Sequence, residues 1–231
     1  MKNYSHLFFD LDHTLWDFHE NSKETLKEIY REWFSELKLF EFEEFYATYV
    51  KFNDTLWASY RSGRMSKETL RIERFRRTLY KLQYREKDEI QSISKYYLDQ
   101  SPQKTNLIPG TKEVLDFLKD RYRMIILTNG FQEVQEIKMA NSGLSPFFSD
   151  MITAEMAGVS KPKKKIFQLA LKRCSVRAQD ALMIGDNLEV DVIGAKKVGI
   201  DQVWFNPEQK QGRVEPTYEI HNLTQILDVL N

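Results

Sequence analysis

Residues 6–16 read HLFFDLDHTLW and place two aspartates, Asp10 and Asp12, one residue apart at the end of an apolar run. The run His6–Phe9 has the character of a strand buried on both faces. A strand end that needed only a turn could use one Asp or a Gly. Two carboxylates about 4 Å apart instead repel by about 4 kcal/mol at an effective dielectric of about 20. In extended chain, residues i and i+2 face the same side, so both carboxylates can address one ligand.

Outward from this stretch the chain has two textures. From Ser22 to about Leu98 it is charged, aromatic and nearly free of Gly and Pro. The segments SKETLKEIYREWFSEL, EFEEFYATYVKFNDTLWASY, SKETLRIERFRRTLYKL and EKDEIQSISKYYL have the spacing of amphipathic helices. Gly63 separates the second from the third, and Ser66 is placed to cap the third, with Thr69 rather than Glu at the reciprocal position. Elsewhere the short β-rich runs RMIIL, FSDMIT, ALMI and QVWF alternate with helical stretches. That alternation predicts an α/β fold with a doubly wound, Rossmann-like parallel sheet. The helical block interrupts the sheet after its first strand. The expected organisation is a core of residues 1–16 and 103–231 carrying an all-helical cap, residues 17–102, with Pro102 and Pro109-Gly110 marking the return.

The bulk properties narrow the function. With 34 basic and 34 acidic residues in 231, the chain lacks the basic excess of a nucleic-acid binder. Its single cysteine, Cys174, excludes an internal disulfide and has the helical spacing of a core residue. No spanning apolar run or secretory leader is visible, so the expected address is cytoplasmic, with no membrane partner. Oligomeric state leaves no signature.

In open parallel sheets, ligands sit beyond the carboxyl ends of the strands. Asp10, Leu11 and Asp12 follow HLFF; Thr128, Asn129 and Gly130 follow RMIIL; Lys161 follows FSDMITAEMAGVS; Asp186 follows ALMIG, with Asp191 five residues on. Each piece alone reads as turn or solvated-surface chemistry. Together, in this order and each after a predicted strand, they describe a site. The carboxylates Asp10, Asp12 and Asp186 need a cation, and hard oxygen ligands without a His/Cys cluster point to Mg²⁺ rather than zinc.

The motifs DLDHT, LTNG, SKP and GDNLEVD resemble those of the haloacid dehalogenase-like superfamily, across the whole core. The resemblance implies hydrolysis of a small phosphorylated metabolite through an aspartyl-phosphate intermediate. It implies that Asp10 is the nucleophile and that Asp12 is the general acid and base, its backbone carbonyl also a metal ligand. Thr128, with Asn129 and Gly130, would hold phosphoryl oxygens, Lys161 would neutralise charge between nucleophile and phosphate, and Asp186 would bind the metal. Thr14 would brace the loop, and Asp191 would orient Lys161 or a metal-bound water. An Asp at position 12 favours phosphoryl transfer over carbon–halogen cleavage.

The stretches DLDHTLWDF, LTNGF and KPKKKIF further resemble the bacterial pyrimidine 5′-nucleotidase branch, implying nucleoside 5′-monophosphates as substrates. A sugar- or glycolate-phosphate phosphatase and a phosphomutase are alternatives within the same chemistry. A phospho-accepting receiver module is a remote one. In the cap, the SYRSGR stretch could bring Tyr60, Arg61 or Arg64 over a substrate. His13 and His19 read as loop-packing residues.

Overall fold

The structure, a computed structural model, describes residues 2–230. Six parallel strands form one sheet: β1 (His6–Phe9), β2 (Arg123–Thr128), β3 (Asp150–Thr153), β4 (Ala181–Gly185), β5 (Asp201–Phe205) and β6 (Tyr218–Ile220). Their order is β3-β2-β1-β4-β5-β6, so the chain runs outward from β1 in one direction and then in the other. The expected doubly wound fold is the one observed. The sixth strand, YEI, was not anticipated; three residues are too few to carry a period.

The strands read as apolar runs because both faces are buried. Phe8, Ile125, Leu127 and Met183 pack on one face with Phe167 and Ala170, which lie on a helix starting at Lys164. Leu7, Phe9, Ile126 and Ile184 pack on the other face with Val114 and Leu115. Neighbouring residues on β1 thus serve opposite layers, as the period of two requires.

The chain divides into two compact units. One comprises the residues up to Phe18 and those from Thr105 onward; the other is His19–Lys104. The second is built from α1 (Phe18–Trp33), α2 (Phe42–Arg61), α3 (Lys67–Lys81) and α4 (Lys87–Gln100). Its core is aromatic: Phe34, Phe40, Phe45, Tyr49, Phe75 and Tyr97 are all buried. Ser66 caps α3 by accepting from the Thr69 amide at 3.2 Å.

In the sheet unit the helices are α5 (Thr111–Leu118), α6 (Gln132–Asn141), α7 (Ala154–Ala157), α8 (Lys164–Cys174), α9 (Ile193–Lys196) and α10 (Ile226–Leu230). One π-helical turn, Leu188–Val192, follows β4. Cys174 is buried against the α8 side of the sheet. Among the described residues, no helix is long and apolar enough to cross a membrane.

Candidate active site

The carboxyl ends of β1, β2 and β4 and the loop after α7 converge at the switch point of the sheet. Asp10 continues β1, its amide donating to the Ile184 carbonyl of β4 at 2.9 Å. Lys161 has 1 % of its surface exposed, and its ammonium lies 2.8 Å from Asp10 Oδ1 and 2.7 Å from Asp191 Oδ1. The contact to Asp191 is an ion pair without hydrogen-bond alignment, whereas the Leu127 carbonyl accepts a hydrogen bond from Lys161 Nζ at 2.6 Å.

Three carboxylates, Asp10, Asp186 and Asp191, each place an oxygen within 4.8 Å of the others. Asp191 reaches them because the π-helical turn is capped by Asn187, whose Oδ1 accepts from Glu189 N and Val190 N. Asp191 Oδ2 in turn accepts from the Asn187 amide at 3.1 Å. Gly185 leaves the room, since a Cβ there would fall on the Asp191 carboxylate. Thr14, fully buried, ties the β1 loop to the β4 loop. Its hydroxyl donates to Asp186 Oδ1 at 3.3 Å and accepts from the Asp186 amide at 3.1 Å.

The electrostatics follow from burial. Burial pushes Asp10 up to about 7, Lys161 opposing it and the charges of Asp191 and Asp12 adding to it. Asp186 is likewise pushed up to about 7, by burial and then by the charge of Asp10. Asp191 is also raised, burial leading. Burial disfavours the Lys161 cation, but Asp10 and Asp191 outweigh it and hold the ammonium protonated well above the usual range. Three acids around one ammonium leave an excess of negative charge on hard oxygens, a donor set that fits a divalent cation of the magnesium type.

Asp12 lies apart from this group. Its Oδ1 accepts from Lys138 Nζ at 2.5 Å and its Oδ2 from Gln135 Nε2 at 2.8 Å. Burial works against its charge, but Lys138, Gln135 and His13 more than offset that and hold the carboxyl below its usual value. The two acids of the motif are therefore set apart, Asp12 lowered and Asp10 raised. The physical reason is that α6 brings a cation to Asp12, while Asp10 shares its cation with Asp191.

Thr128 ends β2, and its Oγ1 accepts from the Gly130 amide at 3.0 Å and from Gln135 Nε2 at 2.8 Å. Of the residues expected at the phosphoryl oxygens, the Asn129 side chain and the Gly130 amide are engaged within the protein. Asn129 Oδ1 accepts from the Lys161 amide at 2.7 Å, and its Nδ2 donates to the Lys161 carbonyl at 3.1 Å, so it braces the lysine. Gly130 is not at positive φ; a Cβ there would collide with the Gln135 side chain. Gln135 and Lys138 were not anticipated. Their signal is two polar residues, three apart, on the buried face of α6.

His13 adopts a left-handed φ of 65°, its ring 4.8 Å from that of Phe18. His19 is exposed on the first turn of α1. In the helical unit, Tyr60 and Arg61 end α2 rather than lying in a loop, with the Gly63 amide donating to the Tyr60 carbonyl at 2.8 Å. Arg64 follows on the exposed turn.

Comparison with known proteins identifies the family. The chain is 32% identical to the HAD-hydrolase YfnB of Bacillus subtilis (strain 168), over 100% of this chain and 97% of that one. A magnesium-bound crystal structure of that protein superposes with a TM-score of 0.90 and 29% identity, covering 99% of each chain. The pyrimidine 5′-nucleotidase PynA of Streptococcus pneumoniae (strain ATCC BAA-255 / R6) is 31% identical over 99% of this chain and 95% of its own. The pyrimidine 5′-nucleotidase YjjG of Escherichia coli (strain K12) is 27% identical over 97% and 96%. A family model described as haloacid dehalogenase-like hydrolase matches residues 4–199. The chain thus belongs to the haloacid dehalogenase-like hydrolases.

Proposed function

We propose that the chain is a magnesium-dependent phosphomonoester hydrolase acting on pyrimidine nucleoside 5′-monophosphates. The observation that carries this reading is the division of the Asp-x-Asp pair, with Asp10 in the acidic group on Lys161 and Asp12 joined to Thr128 through Gln135 of α6. In this reading one carboxylate attacks and the other moves protons.

Asp10 and Asp186, with the Asp12 carbonyl, would hold the metal, and Asp191 would support it. When bound, magnesium supplies the positive charge that lets an anionic carboxylate meet an anionic phosphate. Asp10 attacks phosphorus while the bond to the leaving oxygen breaks. Lys161 offsets the charge between the two anions, and the Thr128 hydroxyl holds a phosphoryl oxygen. Asp12 starts ionised against Lys138, so the proton it passes to the leaving oxygen arrives with the phosphate monoanion or from water. Asp12 then takes the proton of the water that cleaves the aspartyl-phosphate.

The similarity to PynA and YjjG over nearly the whole chain supports the nucleotide reading. The test is a phosphatase panel with Mg²⁺. Turnover of UMP, dUMP and dTMP ahead of all other esters is expected. Faster turnover of hexose or glycolate phosphates would reject the substrate, and no hydrolysis of any phosphomonoester would reject the reaction.

A further inference from the structure

Lys138 projects from α6 with 5 % of its surface exposed. Its ammonium lies 4.0 Å from the centroid of the buried Trp16 ring and 5.7 Å from that of Phe18, in a cation–π cage. From that cage Nζ donates to Asp12 Oδ1 at 2.5 Å. Gln135, fully buried three residues earlier on the same helix face, donates through Nε2 to Asp12 Oδ2 and to Thr128 Oγ1, both at 2.8 Å. A desolvated lysine forfeits hydration and rotamer freedom, so a caged one needs a specific charged partner. Here that partner is Asp12, and the paired donors set both the position and the plane of its carboxyl.

We propose that Lys138, together with Gln135, is a positioning residue for Asp12. It fixes the carboxyl beside Thr128 and holds it apart from Asp10, Asp186 and Asp191. This rests on the reading of Asp12 as acid and base. In the first half-reaction the Asp10–phosphorus bond forms, the phosphorus–leaving-group bond breaks, and the Asp12 proton goes to the leaving oxygen. In the second, a water–phosphorus bond forms, the Asp10–phosphorus bond breaks, and a water proton goes to Asp12. Lys138 acts only on the proton transfers. A leaving group that departs without a proton is therefore insensitive to its loss.

The experiment compares single-turnover release of the leaving group from UMP and from p-nitrophenyl phosphate, with excess Mg²⁺, in K138M, K138R and D12N. If the panel selects a different alkyl phosphate, that ester replaces UMP. K138M is expected to slow nucleoside release by about 10²-fold and nitrophenolate release by less than about three-fold. K138R should recover most of the loss, and Mg²⁺ affinity by calorimetry should be unchanged in K138M. Equal slowing on both substrates, or slowing on neither, overturns the role. D12N separates the two readings: wild-type nucleoside release in D12N removes Asp12 as the acid, whereas slow D12N beside fast K138M removes Lys138 alone. Should K138M fail to fold, K138Q, which keeps one donor for Asp12, carries the same comparison.

Discussion

In the proposed reaction Asp10 serves as both ligand and nucleophile, and its surroundings suit it to the two tasks. One oxygen rests on Lys161, and the carboxylate also contributes to the group shared with Asp186 and Asp191. Asp10→Asn keeps the volume and removes the nucleophilic charge. Turnover is expected to vanish while near-ultraviolet circular dichroism stays unchanged; a residual rate above about a hundredth of wild type would remove Asp10 from the role. Lys161 forms ion pairs with both Asp10 and Asp191. Lys161→Met leaves both acids buried without it, and a loss of about 3–5 kcal/mol in chemical denaturation near neutral pH is expected.

At the scale of the element, the π-helical turn after β4 and the polar face of α6 aim the side chains that the strands alone cannot. The Asp191 carboxylate occupies the space a side chain at Gly185 would need, so Gly185→Ala forces the carboxylate to shift. A stability loss of about 1–3 kcal/mol and weaker Mg²⁺ binding by calorimetry are expected. In the helical unit, the buried ring of Phe34 lies 5.2–5.6 Å from the rings of Phe40, Phe45 and Tyr84. Phe34→Ala opens a cavity among them and should cost about 3–5 kcal/mol in thermal or denaturant unfolding.

For the molecule as a whole, the buried acidic group couples stability to pH and to metal. Asp10 and Asp186 are raised to about 7 from ordinary carboxylate values, so between about pH 4 and pH 7 the folded state binds more protons than the unfolded chain. Their contribution is present at the acid end and lost as pH rises through about 7. A divalent cation needs the ionised carboxylates, so its stabilisation runs the other way. Melting in EDTA and in excess Mg²⁺ should show a larger Mg²⁺-induced rise in Tm at about pH 8 than at about pH 5.5. An equal rise at both values would contradict the proton–metal competition at these acids.

Local pattern determined the α/β class and the order of the motifs along the chain, and those motifs carried the resemblance to the family. Apolar strand runs, Gly and Pro punctuation, and acidic residues after each run are properties of short segments, legible without a partner. What Asp12 faces was decided only by the tertiary structure. Lys138 and Gln135 are separated from it by more than a hundred residues, and in sequence they are merely polar positions on a helix. The same holds for Asp191, whose entry into the acidic group depends on a π-helical turn and the absent side chain of Gly185. The ionisation of a buried carboxylate is set by its neighbours in space and by its distance from water, and neither quantity is written along the chain.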